Sequence, residues 1–132
     1  MENKSEALNP KQYLNTEKIK TKRYDLEDRT LMFTSRVKQY ARKLAKTTID
    51  LEIMNQMFRA AASVGANYIE ANDSLGRKDF FMRIRICKKE SKETIYWLRL
   101  SEPAGGDDAE KASLIQEATE LMKIFGSILV KA

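Results

Sequence analysis

The run Ile53-Met54-Asn55-Gln56-Met57-Phe58-Arg59-Ala60-Ala61-Ala62-Ser63-Val64-Gly65-Ala66-Asn67-Tyr68-Ile69 decides the fold class. Its apolar residues Ile53, Met54, Met57, Phe58, Ala61, Val64, Tyr68 and Ile69 recur mostly at three- and four-residue steps, the signature of one face of an α-helix. The same spacing predicts a helix over about 50–72, with Thr48 or Asp50 placed to cap its first turn. Gly65 inside it costs roughly 1 kcal/mol relative to alanine. Because Ala60, Ala61, Ala62 and Ala66 are small as well, the segment reads as a place where a neighbouring helix comes close.

Three further segments show the same period. Leu31, Phe33, Val37, Tyr40, Ala41 and Leu44 predict a helix over about 28–46, opened by Asp25 or Asp28 and closed by the basic Arg42, Lys43 and Lys46. Phe80, Ile84, Cys87, Ser91, Ile95 and Leu98 predict one over about 78–101. Leu114, Ile115, Ala118, Leu121, Met122, Phe125, Ile128 and Leu129 predict one over about 109–130. Turn chemistry separates them: Asn72-Asp73-Ser74-Leu75-Gly76 before the third, and Pro103-Ala104-Gly105-Gly106-Asp107-Asp108 before the fourth, where Asp107 or Asp108 can cap. No stretch of period-two alternation argues for a sheet. Four such stripes joined by short loops can be buried only against one another, so the expected architecture is an all-α, antiparallel up-down-up-down four-helix bundle over 24–132. Residues 1–23 are polar and interrupted by Pro10, and are expected to form a flexible arm.

Composition narrows the chemistry. The 132 residues contain no histidine and one cysteine, so a Ser-His-Asp or Cys-His apparatus, a His-ligated zinc and an internal disulfide are excluded. A cytoplasmic protein without cofactor is expected, since no segment has the apolar length of a membrane span and the N-terminus lacks the apolar core of a secretory signal. Charged residues make up 33% of the chain, above the average of about 25%, as long exposed helices require.

The net charge of +5 is unevenly distributed. Segments 28–46 and 74–102 carry +5 and +4, whereas 47–73 and 103–132 carry −3 and −2. One reading is that basic and acidic helices balance as solvated, salt-bridging faces. The sharper reading makes Arg36, Arg42, Lys43, Arg77, Lys78, Arg83, Arg85, Lys88, Lys89 and Lys92 a footprint for nucleic-acid phosphates. In a square bundle the first and third helices are diagonal, so their basic faces need not merge on one molecule.

A polar stripe of Arg59, Ser63, Asn67 and Glu70 interrupts the second helix, and Glu90 and Glu93 lie one turn apart on the third. A carboxylate site built on Glu70, Glu90 and Glu93 lacks histidine and partner acids. A network in which Asn67 or Glu70 bonds a neighbouring helix or subunit and fixes register explains them better. Tyr96 and Trp97 diverge by about 100° on a helix, so one of them leaves the core and suits a subunit interface. Cys87 falls in the apolar stripe as a small core residue.

Tyr24-Asp25-Leu26-Glu27-Asp28-Arg29-Thr30, Ser63 to Asn72, Lys78-Asp79-Phe80, Arg83 to Glu90 and Lys92 to Leu100 together resemble the bacterial four-helix-bundle proteins encoded in intervening sequences of large-subunit ribosomal RNA genes. The likeness spans roughly 24–130. It implies the bundle fold and no established enzymatic role. A related branch, the accessory variability protein Avd of diversity-generating retroelements, forms a basic pentameric ring that binds nucleic acid and a reverse transcriptase. By that resemblance the chain is expected to be a non-enzymatic homo-oligomer, pentameric if it follows that branch, with RNA or DNA as partner. The alternative is a purely structural or protein-binding module.

Overall fold

The computed structural model describes residues 22–132, with side chains from residue 26 onward. Four helices follow in order: α1 (Lys22–Arg42), α2 (Thr48–Asn72), α3 (Arg77–Leu100) and α4 (Asp108–Leu129). There are no strands among the described residues; the backbones of Leu44 and Pro103 meet in one isolated antiparallel bridge. The flexible arm expected over 1–23 lies outside the described residues except for its last two, which already belong to α1.

Each helix packs on its sequence neighbour and α4 returns to α1, so α1 lies diagonal to α3 and α2 to α4. The antiparallel register of the closing pair is visible in its contacts. Arg29 reaches Glu117 and Arg36 reaches Glu110, seven residues forward on α1 and seven back on α4.

The buried residues follow a tighter rule than the apolar ones. On α1 they are Leu26, Thr30, Phe33, Val37 and Tyr40, with Ala41 beside them and Leu44 continuing the line in the turn that follows. On α3 they are Phe81, Ile84, Cys87, Ser91, Thr94 and Leu98, and on α4 Leu114, Ala118, Leu121 and Phe125. Their steps are of three and four residues, alternating everywhere but at the start of α3, the heptad-like spacing that lets helices interdigitate side by side. Leu31, Phe58 and Ile69, expected in the core, are exposed, because each stands one position off the heptad line. Ser91 is buried as its stripe implied, and Thr30 and Thr94 take unexpected buried places; their hydroxyls donate to the carbonyls of Cys87, Glu27 and Glu90 so that no polar hydrogen is stranded. Phe81 rather than Phe80 is buried at the start of α3.

α2, α3 and α4 fall within two residues of their expected bounds, whereas α1 is shifted several residues toward the N-terminus. α1 begins at Lys22, so Asp25 and Asp28 lie within it, and it ends at Arg42, where Lys46 Nζ donates to the terminal Arg42 carbonyl at 3.0 Å. The cap of α2 is Thr47, whose hydroxyl oxygen accepts from the Asp50 amide (3.2 Å) while donating to the Asp50 carboxylate (2.6 Å). Asp107 precedes α4 but makes no side-chain cap bond. Gly106, at φ +92°, supplies the left-handed residue that this turn requires.

Candidate nucleic-acid interface

The ten cationic residues of the expected footprint divide among four environments. Two belong to the α1–α4 seam. Arg36 donates to both carboxylate oxygens of Glu110 (3.2 and 3.3 Å) and to Ser113 Oγ (2.8 Å). Lys43 stands 3.8 Å from Asp107, whose buried Oδ2 has no hydrogen-bond partner. With Arg29 they form a ladder at seven-residue spacing. Arg29 is the firmest rung: it grips Glu117 with two hydrogen bonds of 2.7 and 2.9 Å and Glu120 with a third of 2.8 Å. Hydrogen bonding to Glu117 raises the pKa of Arg29 above its ordinary value, and hydrogen bonds from Gln116 and Arg29 hold the exposed Glu120 carboxyl below its own.

Arg83 belongs to the α2–α3 seam. It donates to Asn67 Oδ1 at 2.9 Å, while the Asn67 amide nitrogen donates to the carbonyl and the hydroxyl of Ser63, both at 2.9 Å. This is the interhelical polar network expected of Asn67. The other two members of the stripe stay outside it: Arg59 hydrogen-bonds Gln56 one turn back, and Glu70 is exposed. Arg42 is exposed on the outside of α1.

The remaining six, Arg77, Lys78, Arg85, Lys88, Lys89 and Lys92, are all exposed on α3. Arg77 donates to the Lys131 carbonyl and lies 5.0 Å from the Phe81 ring centroid, and Lys89 stands 3.8 Å from the partly buried Glu90. Lys78, Arg85, Lys88 and Lys92 have no carboxylate within ion-pair distance among the described residues. No ion pair links α2 with α3 among the described residues either, so the acids of α2 do not offset this charge.

What α4 adds depends on which side of it each charge occupies. Glu110, Glu117 and Glu120 all turn toward α1, where Arg36 and Arg29 hold them. The one α4 lysine with a side-chain contact to α3 among the described residues is Lys111. Lys111 Nζ donates to the carbonyls of Arg99 (3.2 Å) and Ser101 (2.7 Å), closing the negative end of α3. Lys131 meets Arg77 through its carbonyl. Gly126 packs beside the Lys88 side chain (3.9 Å from an added Cβ to Cε), while Lys123 is exposed on the outside of α4 near Glu120. The result is a face spanning α3 and the near side of α4 that carries Lys78, Arg85, Lys88, Lys92 and Arg99, with Tyr96 exposed among them. Arg99 was missed among the candidate residues, although its place beside Lys88 and Lys92 on α3 can be read from a helical wheel.

No group of three or more residues suited to holding a metal ion occurs among the described residues. Glu93 accepts from Trp97 Nε1 at 3.1 Å, and Glu90 lies beside Lys89. Cys87 is fully buried, donates weakly to the Val64 carbonyl at 3.4 Å, and has its thiol pushed up to about 12 by burial. It packs as a small core residue at the α2–α3 contact and is far from the thiolate state that a nucleophile needs. No helix of the described residues is long and apolar enough to cross a membrane.

A comparison with curated proteins finds no match. Among solved structures, the chain is similar to a protein of unknown function from the S23 ribosomal protein family of Bacteroides thetaiotaomicron. The two share 28% identity and a TM-score of 0.68, over 78% of this chain and 96% of that one. A family model described as the 23S rRNA-intervening sequence protein matches residues 22–127, which takes in α1 to α3 and nearly all of α4. The heptad bundle, the match over most of its length and the solved relative agree: the chain belongs to the 23S rRNA-intervening sequence protein family.

Proposed function

We propose that the protein is a self-associating, non-catalytic binder of nucleic acid that holds the phosphate backbone against its α3–α4 face. The observation that carries this reading is the partition of charge on α4. Its glutamates Glu110, Glu117 and Glu120 are spent on α1, Lys111 is turned to α3, and Lys78, Arg85, Lys88 and Lys92 of α3 are left without carboxylate partners among the described residues. A set of solvated lysines and arginines on one side of a rod suits contact with phosphates, which position a protein on nucleic acid without reading its sequence. The family's link to 23S rRNA makes RNA the first ligand to try.

Self-association is supported by the opposite side of the bundle. α1 and α2 meet at Thr30–Gly65 and Thr34–Ala61, and around that seam Leu31, Phe58 and Ile69 are exposed with only small residues between them. That apolar patch also favours the second reading, a module that binds only protein, and the two readings part on phosphate affinity.

Titrating a labelled RNA duplex at about 50 mM and about 200 mM salt tests the proposal. Binding that weakens with salt, by a slope near −0.9 for each phosphate neutralised, is expected. No binding at the lower salt sinks it and leaves the protein-binding module. Light scattering at several protein concentrations tests self-association; a monomer throughout removes that part of the reading.

A further inference from the structure

A second surface lies at the other end of α3, where its last turns pass the first turns of α2. There a groove of about 460 Å³ is lined by Ile49, Asp50, Glu52, Ile53, Trp97, Leu100 and Glu102. Its floor and walls are apolar and wet: Ile49 is 74% exposed and Leu100 48%, and Ile53 and the Trp97 ring close the base. Fully burying an aliphatic side chain of this kind is worth about 1.5–3 kcal/mol, so leaving two of them open forgoes burial that an occupant would supply. The indole does not need the occupant to place it, because Glu93 holds its Nε1 at 3.1 Å and Tyr96 packs edge-on with ring centroids 5.0 Å apart.

The rim has one sign. Asp50, Glu52 and Glu102 line the groove and no lysine or arginine does, in a chain whose net charge is +5. Glu52 and Glu102 are exposed and free of ion pairs among the described residues. The α3–α4 face cannot supply them, since its cations lie on the far side of α3.

From this apolar floor and acidic rim we infer that the groove is a docking site for a cationic amphipathic helix of a partner protein. The partner's apolar side chains pack on Ile49, Trp97 and Leu100, and its lysines or arginines face Glu52 and Glu102. A helix laid in the cleft between two others, anchored on an aromatic and steered by complementary charge, is a recurrent mode of recognition. The inference is independent of nucleic-acid binding on the other face.

Trp97 is the only tryptophan of the chain, so its emission reports on the groove directly. The full chain is titrated with a designed tryptophan-free helical peptide of leucine and lysine, and with its counterpart carrying glutamate at every lysine position. The expected result is a saturable blue shift with the lysine peptide and none with the glutamate peptide. The Glu52→Lys/Glu102→Lys variant is expected to bind the lysine peptide about tenfold more weakly, and Leu100→Asp to abolish the shift. Both sets of substitutions are at exposed positions, and helicity by circular dichroism checks that the bundle is intact. Absence of a shift with the lysine peptide, or an equal shift with both peptides, overturns the proposal. A blue shift on concentrating the protein alone also overturns it, by assigning the groove to a second copy.

Discussion

A Cβ added at Gly65 would lie 3.1 Å from the Thr30 hydroxyl oxygen and 3.4 Å from the Thr30 Cβ. The glycine in the middle of α2 therefore sits directly against α1, and Thr30 is the residue that touches it. Two effects oppose each other at this point. Alanine gains roughly 1 kcal/mol of helix propensity over glycine, but its methyl must displace a stiff, fully buried threonine whose hydroxyl is tied to the Glu27 carbonyl at 3.0 Å.

The clash wins. Gly65→Ala is expected to destabilise the protein by about 1 kcal/mol, within the usual range for overpacking net of propensity. In a Thr30→Ala background the obstacle is gone, and the same substitution is expected to be neutral or stabilising. Urea denaturation of the four proteins in this cycle measures the coupling; a stabilising Gly65→Ala in the parent chain would show that the two helices are not pressed together here.

The ladder between α1 and α4 predicts a ranking. Arg29→Ala breaks two short bonds to a largely buried carboxylate, whereas Arg36→Ala breaks longer ones to a more exposed Glu110. Exposed pairs contribute at most about 1 kcal/mol, so Arg36→Ala is expected to cost no more than that. Arg29→Ala is expected to exceed it, up to about 2 kcal/mol, because Glu117 is left partly buried without its partner. Thermal or chemical denaturation gives both values, and the reverse order contradicts the geometry.

The fold was legible because four segments each keep an apolar period long enough to exclude anything but helices. What escaped was the phase within each helix. Leu31, Phe58 and Ile69 are as apolar as their buried neighbours, and residue type does not say that they stand one position off the heptad line. Conversely Thr30 and Thr94 are buried because a hydroxyl can return its hydrogen to its own helix, which an apolar stripe does not register. The candidate site was half visible. Charge runs located α3, but the assignment of Arg36 and Lys43 to α4 and of Arg83 to Asn67 depends on which helices are neighbours and in what register.

Tyr40 links three elements at the far end of the bundle. Ser101 Oγ donates to the Leu98 carbonyl (2.6 Å), so in the 2.7 Å contact between the two hydroxyls Tyr40 is the donor. Burial raises the Tyr40 pKa above its ordinary 10.0, and the carboxylates of Asp107 and Asp108 add to the rise. A raised folded-state pKa means stability that is complete below pH 10 and is lost as pH climbs through the folded value, since only the unfolded chain ionises readily. Tyr40→Phe is expected to cost about 1 kcal/mol at pH 7 and to flatten that alkaline loss. Denaturation midpoints at neutral pH and above pH 10 test both; an alkaline limb identical in the two proteins removes Tyr40 as its source.

Cys87 provides a probe of global opening. With its sulfur buried against the Val64 carbonyl and its thiol pushed up to about 12, it is expected to resist iodoacetamide in the folded protein. Labelling should proceed only at the rate set by unfolding and should become immediate in denaturant. Rapid modification of the native chain, followed by mass spectrometry, would show that the α2–α3 contact opens locally.

The central claim is that phosphates are met by the α3–α4 face and by no other basic part of the bundle. The slope of log K for RNA against log salt, compared among the parent, Lys88→Glu/Lys92→Glu and Arg42→Glu, tests it most directly. The double variant is expected to lose about one unit of slope for each lysine reversed, with weaker affinity for every sequence tried, while Arg42→Glu on the outside of α1 leaves both unchanged. A parent chain whose affinity does not change with salt, or an Arg42→Glu variant impaired as much as the double one, would contradict it.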